Sequence, residues 1–498
     1  ADAYKRGEKL RFIARLERDD DGRVHARVGL ESLPAHHPLA AGAGTDNRVA
    51  ITSDRYREQP LLIQGPGAGA DDPRSHEGRA RMQKAITLGP LPAAERIVAM
   101  DVIRGFALLG IFLMNIEGMA GPLNASLTGL DPSLAGADRA VDTLIYVLVQ
   151  GKFYVLFSLL FGMGFAVMAA RAEAAGRPFV RVYLRRTFAL LAIGLAHMLL
   201  VWSGDILTVY ALLALLLLAV FRTVPARQLP WLGLGLYVAP LCLVLGLGAL
   251  GSLAQLEPGA AKEMQRALAQ EAQAWQRTLD AQAAAYGHGT WLDATRQRAA
   301  DMGQMFVHAL TVFGWQVLGL FVLGSWFVRS GAIADPSAFP RLFARLRWVA
   351  LPVGLLLVLA GFRLMPTMDP GRLDFGMGVA TFAASTGALL MSLGYLAWIV
   401  RGLRHPRAAG ALALLAPAGR MALTHYLLQS LIGTLVFYGY GLGAFGQLPR
   451  AWQPVFVLAV FALQVLVSRW WLRRFRYGPM EWIWRGLTYG RLPALRAA

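Results

Sequence analysis

A single cysteine, Cys242, stands in 498 residues, inside an apolar run. That excludes a disulfide framework or a cysteine-built metal site within one chain. Charge is scarce as well. Only 16% of residues are Asp, Glu, Lys or Arg, where a soluble protein carries about a quarter, so an ordinary soluble enzyme is excluded for most of the chain. No Walker loop, HExxH, GxSxG or dinucleotide fingerprint occurs in a supporting strand–helix context. The histidines and acids are too scattered to argue for zinc, and no metal site is expected. The first ninety residues hold no uninterrupted apolar core, so no signal-peptide pattern is read there.

The bulk of the chain is apolar. Hydrophobic residues make up 56%, and the mean hydropathy is +0.44. Runs near the ~20 residues that a helix needs to span a bilayer recur along it. Ten candidate spans can be marked, at 102–121, 149–170, 186–203, 205–221, 231–253, 305–328, 347–364, 376–400, 411–440 and 453–472. Ala140 to Gln150 reads as a possible separate interfacial helix, and the ninth span carries a break signal at Pro417-Ala418-Gly419. The expected fold is an all-α polytopic membrane protein of about ten transmembrane helices, with a small β-rich N-terminal fragment.

Lys and Arg number 49 against 31 Asp and Glu. In a soluble chain that excess would suggest nucleic acid. Here the arginines stand in loops between apolar runs, so they read as topology signals and no nucleic-acid partner is expected. Arg171, Arg177, Arg181, Arg185 and Arg186 fill one loop; Arg222 and Arg227, Arg329 to Arg347, Arg401 to Arg407 and Arg469 to Arg485 fill others. The loops between these are poorer in arginine. Ten spans with both termini cytoplasmic satisfy this alternation. The polar insert 254–304 then faces the periplasm. Its Leu268, Trp275 and Leu279 are spaced for amphipathic helices, as a solvated cap or a lid.

Residues 1–72 differ in character. Leu10, Phe12, Ala14 and Leu16, then Val24, Ala26 and Val28, follow a period of two, and GPGAGAD ends the stretch. The segments LRFIARLERDDDGRVHARVGLES and SDRYREQPLLIQGPGAGAD resemble the C-terminal end of homoserine dehydrogenase, whose Gly-rich tail packs near the dinucleotide. That family's nucleotide-binding half and catalytic residues lie upstream of anything present here, and ~70 residues alone have little core to bury. No dehydrogenase activity is expected. Met82 and Met100 would make sensible natural starts for the apolar portion, and residues 1–81 read as a read-through or fusion remnant. Residues 73–95 read as a linker, and 96–492 as the membrane domain.

Polar residues inside the spans are the candidates for chemistry, because each is costly there. The first span, RIVAMDVIRGFALLGIFLMNI, carries Asp101, Arg104 and Asn115; interfacial snorkelling is the other reading of the first two. His197 lies about 18 Å along span three at 1.5 Å per residue, with Asp205 at the following turn and Tyr210 beyond it. A carboxylate that fixes an imidazole's tautomer makes a general base; a packing role for His197 is the alternative. In GRMALTHYLLQS, Arg420 pairs in spacing with Thr424, and His425 with Gln429. Inter-helix hydrogen bonding is the competing reading there. Gly162 and Gly164 suggest close helix packing. Tyr477, Trp482, Trp484 and Tyr489 suggest an interfacial anchor, and Glu481 and Arg485 a helical ion pair.

RIVAMDVIRGFALLGIFLMNI, KFYVLFSLLFGMGF, RRTFALLAIGLAHMLLVWSGDIL, GRMALTHYLLQS and YGPMEWIWRGLTYG together resemble the YeiB family of bacterial inner-membrane proteins, over about residues 96–492. That family looks related to transmembrane acyltransferases, among them heparan-α-glucosaminide N-acetyltransferase and the O-acyltransferases of cell-surface polysaccharides. The resemblance implies an acyl group passed from a cytoplasmic donor, such as acyl-CoA, through a membrane-embedded histidine to a small-molecule or glycan acceptor of the cell envelope. On that reading His197 and Asp205 are catalytic. Asp101, Arg104, Asn115, Arg420, His425 and Gln429 contact substrate, with His425, often Asn in the family, the weaker histidine. Membrane lipids are the surrounding partner. A transporter or flippase using the same polar path, and a non-catalytic scaffold, are the rival expectations.

Overall fold

The computed structural model describes residues 11–18, 24–31, 97–176 and 178–496. The chain divides into two units, residues 1–80 and 81–498. In the first, β1 (Arg11–Arg18) and β2 (Val24–Glu31) pair antiparallel, with Arg11 opposite Glu31 and Arg18 opposite Val24. The rest of the expected β-rich fragment, its Gly-rich end included, lies outside the described residues.

The second unit is helical. It runs through α1 (Val98–Ala120), α2 (Gly136–Leu148), α3 (Phe153–Ala174), α4 (Phe179–Leu200), α5 (Leu207–Phe221) and α6 (Leu229–Ala254). The insert comes next as α7 (Pro258–Gly287) and α8 (Trp291–His308). Then come α9 (Gly314–Arg329), α10 (Pro340–Arg345), α11 (Leu351–Leu364), α12 (Phe375–Gly402), α13 (Pro406–Ala413), α14 (Ala416–Arg420), α15 (Ala422–Phe437), α16 (Gln453–Leu472) and α17 (Pro479–Tyr489). Single π-helical turns, Ala309–Phe313 and Leu346–Ala350, join α8 to α9 and α10 to α11.

Among the described residues seven helices, not ten, are long and apolar enough to cross a membrane: Val98–Ala120, Gly136–Ala174, Leu229–Ala254, Trp291–Arg329, Pro340–Leu364, Phe375–Gly402 and Arg450–Leu472. The three shortfalls have physical reasons. Residues 186–200 lie in α4, which ends at Leu200 and whose first turns carry Arg181, Arg185 and Arg186. Residues 205–221 form α5, which is only 15 residues long. Residues 411–440 are interrupted at Leu414-Leu415, just ahead of Pro417, and again at Met421, so they divide among the end of α13, α14 and α15. Proline cannot donate to the helical ladder, and it crowds the preceding turn.

α1 is the axis of the bundle. Val102, Ile103, Ala107, Leu108, Phe112 and Ile116 are fully buried, and α3, α12, α14, α15 and α16 pack around it. Backbones touch where side chains are absent. A Cβ at Gly162 of α3 would fall 1.9 Å from the Phe321 carbonyl oxygen of α9, and one at Gly324 would fall 2.0 Å from that of Leu159. Ser325 Oγ completes this seam by donating to the Gly162 carbonyl at 3.1 Å. Gly164 has open space instead and faces a cavity lined by α1, α3, α4, α15 and α17. Outward, Trp231, Leu243, Leu356, Leu463 and Leu466 are exposed, the apolar rim that a lipid-embedded bundle presents.

Candidate functional site

The first turns of α1 supply Asp101 and Arg104, with Arg104 Nη1 donating to Asp101 Oδ1 at 2.9 Å. The short α14 lies directly on this turn. A Cβ at Gly419 would sit 1.9 Å from the Asp101 carbonyl oxygen, so only glycine lets α14 lie this close to the turn that carries Asp101 and Arg104. The N-terminus of α15 is capped from afar by α17. Glu481 Oε1 accepts the Leu423 and Thr424 N–H groups at 2.7 and 3.1 Å, and Oε2 accepts the Thr424 hydroxyl at 2.5 Å. One carboxylate thereby satisfies donors that a helix start leaves orphaned. α17 also reaches α4. Trp484 Nε1 donates to the Arg186 carbonyl at 2.9 Å, and the Arg186 guanidinium lies 3.6 Å over the indole.

These elements enclose a cavity of about 360 Å³. Among the described residues Arg104, Arg171, Arg186, Arg420, Arg476 and Arg485 line it, with Asp101 and Glu481 as the acids. Both carboxylates are engaged, Asp101 by Arg104 and Glu481 by the α15 cap. The described lining is therefore richer in arginine than in carboxylate, and guanidinium groups between low-dielectric walls favour anions. Its inner part is apolar and aromatic, formed by Ile111, Phe157, Phe161, Ile206, Tyr210 and Tyr426. An anionic head with an apolar or extended tail fits that polarity.

Burial pushes the Glu481 carboxyl up from its ordinary value, against the opposing pull of the Thr424 hydroxyl and the cap N–H groups. A raised acid contributes most to stability below its unfolded value and loses that contribution as pH rises through the raised one. Glu481→Gln is expected to flatten this dependence in detergent melting curves taken between about pH 4 and pH 8. Glu481→Ala is expected to lower the melting temperature at every pH, because the cap is lost.

His197 and Asp205 meet as the spacing suggested. Nδ1 lies 2.8 Å from Asp205 Oδ1, and each residue is 3% exposed. Asp205 Oδ2 accepts the Thr208 N–H at 2.7 Å, in the first turn of α5. The carboxylate is thus fixed twice, which fits Nδ1–H donation and leaves Nε2 as the basic nitrogen. His197 Nε2 is buried and has no hydrogen-bond partner among the described residues. Neither residue lines the cavity, whose wall at this point is Tyr426 and Ile206. On the far side Arg298 of α8, fully buried, donates from Nε to the Leu199 carbonyl at 2.8 Å and from Nη1 to that of Val201 at 3.2 Å. The insert therefore docks on the C-terminal end of α4, away from the arginines of its N-terminal end.

The other expected site residues separate. Asp101, Arg104 and Arg420 share the cavity. Asn115 lies eleven residues beyond Arg104 on α1, about 16 Å at the helical rise, and is not part of its lining. His425 and Gln429 turn to α16: His425 Nε2 is 2.5 Å from Ser468 Oγ, and Gln429 Nε2 donates to Gln464 Oε1 at 2.9 Å. That is the inter-helix hydrogen-bonding alternative. Tyr477, Trp484 and Tyr489 line the cavity rather than serving as an anchor alone. Glu481 caps α15, and the Arg485 guanidinium lies 4.8 Å over the Tyr477 ring.

Sequence reasoning passed over Arg171 and Arg186, read only as topology signals, and Tyr426, which adjoins the singled-out His425. It also passed over a buried cluster elsewhere, in which Arg450 binds Glu117 and Asp142, both at 2.8 Å. The available signal at Arg186 was its place seven residues after Phe179, already inside the helix.

The chain is 32% identical over 417 residues to "Uncharacterized protein YxaH" of Bacillus subtilis strain 168, covering 81% of this chain and 96% of that protein. It is 32% identical over 409 residues to "Uncharacterized protein YeiB" of Escherichia coli K12, covering 79% and 96%. The chain belongs to the YeiB family. The family model described as "Protein of unknown function (DUF418)" matches residues 327–491, which take in α10 to α17 and so include Arg420, Tyr426 and Glu481 of the cavity wall. The homoserine dehydrogenase model matches residues 1–73. Over 69 residues, 14% of the chain, identity to the Escherichia coli bifunctional aspartokinase/homoserine dehydrogenase 2 is 48%, covering 8% of that protein.

Proposed function

We propose that this YeiB-family protein is a bacterial inner-membrane acyltransferase that carries an acyl group from a cytoplasmic donor to a cell-envelope acceptor. The supporting observation is the arginine-lined cavity whose apolar inner end stops one side chain short of the His197–Asp205 pair. Arg104, Arg186 and Arg420 hold donor phosphates, as guanidinium groups do. The acyl chain lies along Phe157, Phe161 and Ile206. His197 Nε2 takes the proton of the acceptor hydroxyl or amine as that group attacks the acyl carbonyl. The donor's C–S bond breaks, and the thiolate leaves with the proton. Asp205 holds the imidazole in place. In the membrane, α4, α5 and the broken α13–α15 join the seven longer helices as crossings, giving ten, with both termini and the arginine loops cytoplasmic and α7–α8 periplasmic.

The test is transfer of label from radiolabelled acyl-CoA to envelope lipid or glycan in inverted vesicles with and without the protein. Arg186→Gln is expected to weaken donor binding about tenfold or more, the loss of one charge-assisted hydrogen bond. Equal transfer without the protein overturns the reading. A transporter is the second reading, favoured by the double break around α14 with Arg420 at its end, since interrupted helices mark transport sites. Uptake of the anion with no covalent change would decide for it.

A further inference from the structure

One side chain separates the cavity from the histidine. Tyr426 lines the cavity and is 5% exposed. Its ring packs on the His197 imidazole with centroids 5.2 Å apart and planes tilted by 52°. Its hydroxyl is tied to the α4–α5 turn, accepting the Ile206 N–H at 3.3 Å and donating to the Gly204 carbonyl at 3.4 Å. Both bonds sit at the long, weak end of the range. By contrast His197 and Asp205 are held at 2.8 Å, and Asp205 and Thr208 at 2.7 Å. The phenol hydroxyl is therefore held by longer, weaker bonds than the pair behind it. Behind it His197 Nε2, the acceptor when Nδ1–H donates to Asp205, has no donor among the described residues, and a group entering the site can supply one.

We infer that Tyr426 is a gate: an occupant of the apolar inner cavity displaces its ring, the two bonds to the turn break, and Nε2 comes into reach of the reacting group. The inference rests on His197 being the base proposed above. Tyr426 is the fifth residue of α15, so its staggered rotamers swing the ring without unwinding the helix. The start of α15 is fixed by Glu481, itself part of the cavity wall, so the gate hangs from the wall that a ligand touches. With the cavity empty, the closed ring keeps the base dry and unreactive.

The experiment is carbethoxylation of the full chain in detergent micelles with diethyl pyrocarbonate, each histidine followed by peptide mass spectrometry. In the wild type His197 is expected to react slowly. Tyr426→Ala is expected to raise its rate about tenfold or more, and Tyr426→Phe, which keeps the ring but drops both bonds, about two- to fivefold, as closing becomes less favourable. His425 is the internal control: it neighbours Tyr426 in the chain, is 1% exposed and faces Ser468, so its rate is expected to stay put. An unchanged His197 rate in both variants overturns the gate. So does a joint rise of His197 and His425, which reports loosening of α15. Should Tyr426→Ala fail to fold, Tyr426→Phe alone decides, and no rise there rejects the proposal. The readout needs no transfer activity, so a failed acyl-transfer assay and a failed gate are distinguishable.

Discussion

His197→Ala is expected to lower acyl transfer by about 10²–10⁴-fold, the usual contribution of a positioned general base, while donor binding stays near wild type. The split comes from the geometry. His197 lies behind the cavity wall, not in it, so removing its ring takes away the proposed proton acceptor and leaves the arginines of the cavity in place. A loss confined to turnover, with an unchanged binding isotherm for a fluorescent acyl-CoA, is the signature of a group used in the transition state alone. Asp205→Asn should behave differently. The amide oxygen still accepts the Thr208 N–H, so α5 keeps its first turn, but the group no longer carries the charge that stabilises an imidazolium. Its transfer rate should fall, and its melting temperature should fall less than that of Asp205→Ala, which also loses the bond to Thr208. Wild-type transfer by His197→Ala would remove the histidine from the mechanism and leave the arginine cavity as a transport or binding site.

The sequence revealed the class of architecture and part of the site, and the division between the two has a physical cause. Apolar runs report burial from water, so α1, α3, α6, α9, α11, α12 and α16 were readable one by one. Arginines report which ends stay near water, and those of α3, α4 and α17 do line one cavity. His197 and Asp205 were also readable, because eight residues across one tight turn leave few ways to avoid contact. Helical periodicity, however, gives a residue's face without naming the helix which that face meets. His425 and Tyr426 are neighbours on α15, yet one turns to Ser468 of α16 and the other to the cavity; nothing local distinguishes them. Glu481 looked like a partner for Arg485 at the right helical spacing, while the open N-terminus of α15, 57 residues earlier, offered it more hydrogen bonds. The number of long apolar helices, seven rather than ten among the described residues, was not readable from apolar runs, because a run does not show that α4 starts on arginines, that α5 stops at 15 residues or that 411–440 is divided into α13, α14 and α15.

Arg450→Leu is expected to be the most destabilising single change in the membrane unit, at about 3–5 kcal/mol, the cost of stranding buried charge. Arg450 precedes α16 and is 5% exposed. Its Nε donates to Asp142 of α2 at 2.8 Å, its Nη2 to Glu117 of α1 at 2.8 Å and its Nη1 to Gln453 at 2.6 Å. One guanidinium thus joins three helices at the end of the bundle opposite the arginine cavity, and it neutralises two carboxylates that have little water to fall back on. Leucine fills part of the volume and satisfies none of the three acceptors. Adding Glu117→Gln and Asp142→Asn to Arg450→Leu removes the stranded charges while the Asp131 N–H, which Asp142 Oδ2 now accepts at 3.2 Å, keeps an oxygen to bond. The triple variant is therefore expected to recover a large share of the lost stability even though it has no ion pair at all. Thermal unfolding in detergent of the wild type, the single variant and the triple variant makes the comparison. If the triple variant is no more stable than Arg450→Leu, the damage lies in lost packing of the arginine stem rather than in unpaired charge. Donor binding offers a second axis: no residue of the cluster lines the cavity, and Glu117 lies thirteen residues beyond Arg104 on α1, so molecules of either variant that remain folded should bind the donor as the wild type does.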